Sequence, residues 1–187
     1  LMQLGLFATT PLLVILRQNG VLRRMSATPL RRSTLVVAQI VFRAGLALAQ
    51  VGIMIVVGMG VYDVPIALER LPAIAAIALL GAAVFVTLSA FLAALANSED
   101  SMQAVIGLPN VLFMLLSGIF FPLEDMPGWA RLIANVIPLT YLADALRQVM
   151  LDATPDFALH TDLLVLGGWL VVCSVLAVRF FRWEPQG

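Results

Sequence analysis

The stretch from Leu116 to Arg147, LSGIFFPLEDMPGWARLIANVIPLTYLADALR, decides how this chain can fold. It follows an apolar run, but Pro122, Pro127 and Pro138 interrupt it. Each proline removes a backbone donor and disfavours helix at the residue before it. Unpaired backbone groups are costly in hydrocarbon, so a broken segment must lie in protein, in a cavity or at the interface. The stretch therefore predicts a broken, hairpin-like insertion at one membrane face.

The composition is that of an integral membrane protein. Of the 187 residues, 61% are apolar and 12% are charged, and the mean hydropathy is +1.02. Ordinary soluble domains carry about 25% charged residues. All 11 basic residues are arginines, which excludes the lysine-dependent phosphate-binding loop of many ATPases. The single Cys173 lies in an apolar segment, which excludes disulfides and cysteine-based metal sites. We expect no catalytic, cofactor or metal site in this chain.

Apolar segments of about the length that a bilayer requires predict an all-α, polytopic helical bundle. We expect one membrane domain over residues 1–187, with spans at about 1–16, 34–61, 71–96, 104–121 and 163–181. The chain begins inside an apolar run, without the basic region and cleavage site of a signal peptide. We therefore interpret it as a fragment that starts partway through a helix.

The arginines predict the orientation. The loop after the first segment holds five arginines and no acid, and such loops face the cytoplasm. Alternation then places residues 122–162 outside, where six acids face two arginines, and residues 179–187 inside. Within this outer loop, Glu124, Asp125 and His160 are most simply solvated side chains.

One polar stripe interrupts the second segment. At 100° per residue, Gln39, Arg43 and Gln50 fall within roughly 40° of one another on a helical wheel. Intramembrane ionisable groups usually face a bundle interior, a cavity or a partner. The alternative is that Arg43 snorkels to the interface and the glutamines join helices.

The basic loop predicts a short amphipathic helix over residues 21–26. Asn19-Gly20 is a turn signal, and Thr28-Pro29 ends the helix. Arg23 and Arg24 fall on its polar side, with Leu22 and Met25 on the other. The alternative is an ordinary cytoplasmic loop with interfacial arginines.

Two runs resemble the permeases of type-2 ABC exporters. The run LRQNGVLRRMSATPLRRSTLVVAQI is similar to their first cytoplasmic loop, in which a glycine, a Leu-basic pair and ATPL precede the next span. The run SGIFFPLEDMPGWARLIANVIPLTYLADALR is similar to their outer signature, SG-x-FFP followed by P-x-W, PLTY and an arginine. Family members have six spans, so the first would be missing here. They often carry a glutamate where this chain has Leu16.

The resemblance implies a transport subunit without its own ATP site. Two permease copies, identical or related, would face each other, with a separate ABC ATPase carrying ATP and magnesium beneath them. Residues 21–26 would be the coupling helix that docks on the ATPase. The implied coupling residues are Gly20, Leu22, Arg23, Arg24, Met25, Thr28, Pro29, Arg31 and Arg32.

The resemblance also gives the outer segment a role. The external hairpin, Pro122 to Tyr141, would cap the exit of the pathway, with Trp129 and Tyr141 at headgroup depth. The implied gate residues are Gly118, Phe121, Pro122, Pro127, Trp129, Pro138 and Tyr141.

The apolar spans and the resemblance also predict the location and the substrate of the protein. We expect a multi-pass protein of the bacterial plasma membrane that contacts lipid and no nucleic acid. Spans rich in Ala, Leu, Val, Ile and Phe suit an amphipathic, drug-like or lipid-like substrate, and the signature most resembles the drug-export branch. The alternatives are a secondary transporter or channel, which usually shows midplane ionisable residues or paired broken helices, and an intramembrane enzyme, which needs convergent polar groups.

Overall fold

A computed structural model describes residues 2–3, 32–63, 67–95, 99–151 and 156–180. The described part is helical, which confirms the predicted all-α class. Its α-helices, in chain order, are α1 (Arg32–Val61), α2 (Leu71–Leu95), α3 (Glu99–Leu116), α4 (Gly128–Ala134), α5 (Pro138–Leu151) and α6 (Leu159–Phe180). Short 3-10 helices at Leu68–Arg70 and Leu123–Asp125 precede α2 and α4.

Three helices in the described ranges are long and apolar enough to cross a membrane. The spanning stretches are Phe42–Val61 in α1, Leu68–Leu92 through α2, and Leu159–Arg179 in α6. The apolar part of α3, Ala104–Leu116, is shorter than the roughly 20 residues that a straight crossing needs.

Helix α2 lies at the centre of the packing. Helix α2 makes its most extensive contact with α6, and α5 packs against both α2 and α6. The fully buried side chains of Val84 and Phe85 on α2 join a cluster with Leu142 on α5 and Leu166 on α6. A Cβ added at Gly81 would lie 2.6 Å from the Leu142 methyl carbons, so glycine permits this close approach of α2 and α5.

Helix α1 is the most exposed of the long helices. It packs on α2, while Ile53, Met54 and Val56 are each more than 60% exposed. A long, mostly apolar helix that is largely unburied is suited to contact with lipid or with other membrane helices.

The observed helix ends differ from the predicted segments, beginning with α3, which starts at Glu99 and not at 104. The fourth segment was expected to continue to Phe121, but α3 ends at Leu116 and residues 117–121 are bends. The fifth was expected to begin near 163, but α6 begins at Leu159 and includes Asp162. Asp162 was read as a loop residue because of its charge, whereas it is fully buried.

Candidate functional site: the broken segment between α3 and α6

Gly118 makes the first break. Its φ is +76°, a conformation that residues with a Cβ rarely adopt, and a Cβ there would lie 3.2 Å from Leu123 Cγ. The amide of Ser117 still donates to Phe113 O at 3.1 Å, so the helix is regular up to this point. The chain therefore leaves α3 abruptly, at a residue whose backbone and surroundings both require glycine.

Arg147 ties this break to α5. Its Nη2 donates a hydrogen bond of 2.8 Å to the carbonyl of Gly118, which lies 29 residues earlier in the chain. The carbonyls at a helix C-terminus lack intrahelical partners, and a guanidinium is a favourable donor to them. The end of α3 is thus held by a side chain from α5, the next long helix in the chain.

Arg131 fixes the 3-10 helix that follows. Its Nε and Nη2 donate to Leu123 O at 3.0 and 2.8 Å, and Nη2 also donates to Glu124 O at 2.9 Å. One planar guanidinium therefore satisfies two neighbouring carbonyls of the turn. The turn between α3 and α4 has a defined shape because α4 itself supplies these donors.

The junction between α4 and α5 is also closed by side chains. Thr140 Oγ1 donates to Ala134 O at 2.9 Å, and the Tyr141 hydroxyl donates to Asn135 O at 2.6 Å. Pro138 is the first residue of α5, where its fixed φ is favourable and a missing N–H costs little. The second break thus falls where a proline begins a helix and where the carbonyls before it are capped.

Trp169 connects this junction to the last span. Its indole Nε1 on α6 donates to Val136 O at 3.0 Å, across 33 residues. The short helix α4 is therefore attached through its C-terminal junction to both α5 and α6.

A second polar group lies at the other end of α5, where it approaches the start of α6. Asp144 is 2% exposed, and its Oδ1 accepts from the Asp156 amide at 3.2 Å. Its Oδ2 accepts from the Phe157 amide at 2.9 Å and from Gln148 Nε2 at 3.1 Å. The carboxyl group of Asp144 thus anchors the end of the α5–α6 connection.

Gln148 joins Asp144 to a second buried acid. Its Nε2 lies 2.9 Å from Asp162 Oδ2 and 2.9 Å from Phe157 O. Asp162 is fully buried, and its Oδ1 has no hydrogen-bond partner. We call Asp144, Gln148 and Asp162 the buried acid cluster.

The aromatic ring of Tyr141 links the cluster to the outer segment. It packs on Phe157, with ring centroids 5.0 Å apart. Burial raises the pKa of the Tyr141 phenol, so the hydroxyl remains the donor to Asn135. Burial also raises the pKa of Asp156, and the negative charge of Asp144 acts in the same direction, while Arg147 opposes it.

The structure places the predicted gate residues along the broken segment, where some are buried and others exposed. Gly118 and Pro138 are buried at the two breaks, and Pro127 precedes α4 as its N-cap. Trp129 is 65% exposed, as an interfacial anchor would be, and Phe121 and Pro122 are exposed as well.

Tyr141 is buried, whereas Trp129 is exposed. Their placement at headgroup depth stays a prediction, and Tyr141 is only 6% exposed. Its ring packs on protein and its hydroxyl donates to protein, because the α4–α5 junction leaves carbonyls that need a donor. Of this pair, only Trp129 has an exposed ring.

The polar stripe on α1 is partly described. Gln39, Arg43 and Gln50 all lie in this helix, as predicted. Arg43 and Gln50 are half-buried, and Gln50 Oε1 is buried without a hydrogen-bond partner. The predicted coupling helix, residues 21–26, lies outside the described residues, as do the other coupling residues except Arg32, which begins α1.

Sequence reasoning missed the buried acid cluster. Its two aspartates were counted only as part of an acidic outer loop. The signal that could have found it is the spacing of Asp144 and Gln148, which places both on one face of a helix.

Comparison with known proteins assigns the family. Residues 1–151 match the ABC-2 type transporter family. The chain is 28% identical to ABC transporter G family member 20 of Dictyostelium discoideum over 167 residues, which are 86% of this chain and 22% of that protein.

Two further relatives agree with this assignment. Nodulation protein J of Neorhizobium galegae is 34% identical over 107 residues, 57% of this chain and 40% of that protein. The putative transport permease ycf38 of Porphyra purpurea is 28% identical over 142 residues, 75% of this chain and 49% of that protein. The chain thus spans less than half of the length of each of these relatives.

No solved structure matches the chain. The family match covers most of its length, and its described helices include three that can span a membrane. The chain is therefore a multi-pass membrane protein that belongs to the ABC-2 type transporter family.

Proposed function

We propose that this chain is the permease part of an ABC exporter that moves an amphipathic, drug-like or lipid-like molecule out of the cytoplasm. The observation that carries the proposal is the broken segment between α3 and α6 in a chain of this family. Arg131, Arg147 and Trp169 give that segment a defined shape and tie it to the long helices. Such a segment is suited to closing one end of a pathway.

The composition of α2 supports an apolar substrate. Helix α2 lies at the centre of the packing, and its hydroxyl-bearing residues are Thr87 and Ser89. Thr87 Oγ1 donates to Ala83 O and Val84 O at 3.0 and 2.9 Å, and Ser89 Oγ donates to Val86 O at 2.7 Å. Both hydroxyls donate within their own helix, so α2 offers little hydrogen bonding to a sugar or a hydrated ion.

The external hairpin, Pro122 to Tyr141, would cap the exit of this pathway. The capping side chains Arg147 and Trp169 belong to α5 and α6, so a movement of either helix would move the hairpin. Gating transitions commonly move rigid elements that meet at a few hydrogen-bonded contacts. The hairpin would open when the bundle rearranges and close when these bonds form again.

A separate ABC ATPase would supply the energy, and a second permease copy would complete the pathway. The exposed apolar side of α1 is available for that copy or for lipid. Coupling would run through residues 21–26, with the arginines of this loop meeting acids of the ATPase or lipid phosphates.

The test is a double substitution in the full-length transporter, reconstituted with its ATPase. Leu22→Ala with Arg23→Ala removes an apolar contact, which typically costs about 2–5 kcal/mol when well buried, and a charge-assisted contact. We expect the subunit to insert normally, while ATP-driven export of a fluorescent amphipathic dye, and the substrate-linked rise in ATPase rate, are lost. The matched control is Leu22→Met with Arg23→Lys, which keeps size and charge.

Normal export by the alanine double variant would reject the coupling helix. Dye export that proceeds without ATP and follows an ion gradient would reject the exporter itself and favour a secondary transporter.

A further inference from the structure

We propose that Asp144 and Asp162 form a proton-binding site, in which one proton held by the pair keeps the start of α6 fastened to α5. The two carboxyl groups come from different helices and are 2% and 0% exposed. Gln148 Nε2 lies 3.1 Å from Asp144 Oδ2 and 2.9 Å from Asp162 Oδ2, so the two carboxyls share one amide.

The amide cannot neutralise the pair. Gln148 Nε2 carries two hydrogens but lies within hydrogen-bond distance of three acceptors, which are the two carboxyls and Phe157 O. In addition, Asp162 Oδ1 is buried with no partner. A buried carboxylate oxygen without a donor is costly, and two adjacent buried negative charges repel each other. The cluster therefore needs one positive charge.

The described surroundings supply no such charge to Asp162. The charged groups that act on it are Asp144 and Asp156, both acids. Arg147, on the same helix as Asp144, donates to Gly118 O instead. The other titratable side chains near the cluster on α5, on α6 and in the turn before α4 are Tyr141, His160 and Glu124. Helix α2, which packs on both α5 and α6, has no titratable residue. Arg70, in the 3-10 helix just before it, donates to Val149 O on α5 at 3.4 Å, and the charges that act on Asp162 are those of Asp144 and Asp156.

The number of donors decides which acid holds the proton. Asp144 accepts two backbone amides and the Gln148 amide, and such bonds stabilise a carboxylate. Asp162 accepts only the shared amide. The proton therefore belongs to Asp162.

The same inventory argues against a metal cation. Sodium or calcium binds through several oxygen ligands, about six or more for calcium. In this cluster both oxygens of Asp144 are already occupied by N–H donors, which leaves Asp162 Oδ1 as the unpartnered oxygen. Among the described residues, no group of three or more metal-binding side chains is placed to hold an ion.

Loss of the proton would loosen a specific contact. A second negative charge in the cluster would add repulsion between the two carboxyl groups. This repulsion is relieved only if water enters or if α5 and α6 separate. Either change would weaken the bonds from the Asp156 and Phe157 amides to Asp144. Phe157 packs on Tyr141 of the external hairpin, so the cluster is linked to that segment. The regulatory consequence, a proton-dependent outer gate, rests on the proposed function, whereas the proton site does not.

Hydrogen exchange of the full-length transporter in lipid nanodiscs tests the site. The readout is protection of the Asp156 and Phe157 amides, corrected for the intrinsic effect of pH on exchange. In the wild type we expect protection to fall as pH rises from about 6 to 9, by at most about tenfold per pH unit because one proton is lost. Asp162→Asn keeps the shape and cannot ionise, so its protection should stay constant across this range.

The matched control is Glu69→Gln, which changes an exposed carboxyl outside the cluster and should behave as the wild type. Wild-type protection that does not change with pH would overturn the proposal, as would an Asp162→Asn variant that follows the wild type. The series is repeated with sodium replacing choline at constant ionic strength. Protection restored by sodium at high pH would mean a cation site and would also overturn it.

Infrared spectroscopy gives a second measurement that does not depend on the stability of the variant's fold. A buried protonated carboxyl has a C=O stretch distinct from that of a carboxylate. We expect the protonated-carboxyl band at neutral pH in the wild type and in Glu69→Gln. At high pH we expect the band to disappear. Absence of a protonated-carboxyl band from the wild type at neutral pH would sink the proton site. Failure of dye export in any variant would bear only on the proposed function.

Discussion

At the residue scale, the end of α3 depends on the backbone of Gly118 and on the side chain of Arg147. Gly118 turns the chain out of α3 with φ at +76°, and Arg147 then donates to the carbonyl that this turn exposes. The sequence resemblance pointed to both residues, but their contact is long-range and could not be read from spacing. It depends on how α5 returns to the end of α3.

Gly118→Ala should destabilise the transporter. A Cβ in the left-handed region costs about 1–2 kcal/mol, and here it would also lie 3.2 Å from Leu123 Cγ. We expect a lower thermal unfolding midpoint for the purified protein. Gly128→Ala is the matched control, since a Cβ at that position meets nothing within 4 Å. Equal midpoints for the two variants would contradict this account of the break.

Arg147→Met should also lower the unfolding midpoint. The variant keeps the apolar stem but leaves the Gly118 carbonyl without its donor, and hydrogen bonds to charged groups contribute about 1.5–3 kcal/mol. Arg179→Met serves as the comparison, because Arg179 is exposed near the end of α6. If the two substitutions shifted the midpoint equally, the bond between Arg147 and Gly118 would not contribute to stability.

At the element scale, the prolines predicted that the outer segment is broken, but not where each helix ends. Pro138 begins α5 and Pro127 precedes α4, as expected of prolines near helix starts. Pro109 lies inside α3 without ending it. The end at Leu116 is instead followed by Gly118, which has a positive φ and whose carbonyl accepts from Arg147. Hydropathy alone could not separate the last apolar residues of α3 from the bends that follow.

The buried acid cluster illustrates the same limit. Charge counting placed its two aspartates in a solvated loop, because single-sequence reasoning treats an acid as exposed unless a partner is visible. Asp144 has its partners in Asp156 and Phe157, which approach only when the connection folds back on α5. The start of α6 was therefore predicted four residues too late.

Helix α4 should lie near the lipid headgroups and should not cross the bilayer. Its seven residues are far shorter than the roughly 20 that span hydrocarbon. Spin labels at Leu132 and Val136, both exposed, should therefore show shallow depth. A label at Val171, which is exposed at the middle of α6, is the control and should be deep. A depth at Leu132 equal to that at Val171 would reject the interfacial placement.

At the scale of the whole molecule, hydropathy predicted the class of the protein, because apolar length acts through the membrane. Apolar length decides which segments can cross, and the three spanning helices follow it. The association of α2, α5 and α6 could not be predicted in this way, since lipid provides no hydrophobic force between helices. It depends on close packing such as that of Gly81 against Leu142.

The orientation of the molecule follows from its arginines and can be measured directly. The five arginines between the first two segments should hold that loop in the cytoplasm, and the acidic segment between α5 and α6 should face outside. Single cysteines at Ser26 and Asp152, in a Cys173→Ser background, would be treated with an impermeant thiol reagent in intact cells. We expect labelling at position 152 in intact cells, and labelling at position 26 only after the cells are opened. The background variant without added cysteines gives the blank. Labelling of position 26 but not 152 in intact cells would mean that the molecule has the opposite orientation. The external hairpin would then lie on the side where the ATPase must dock.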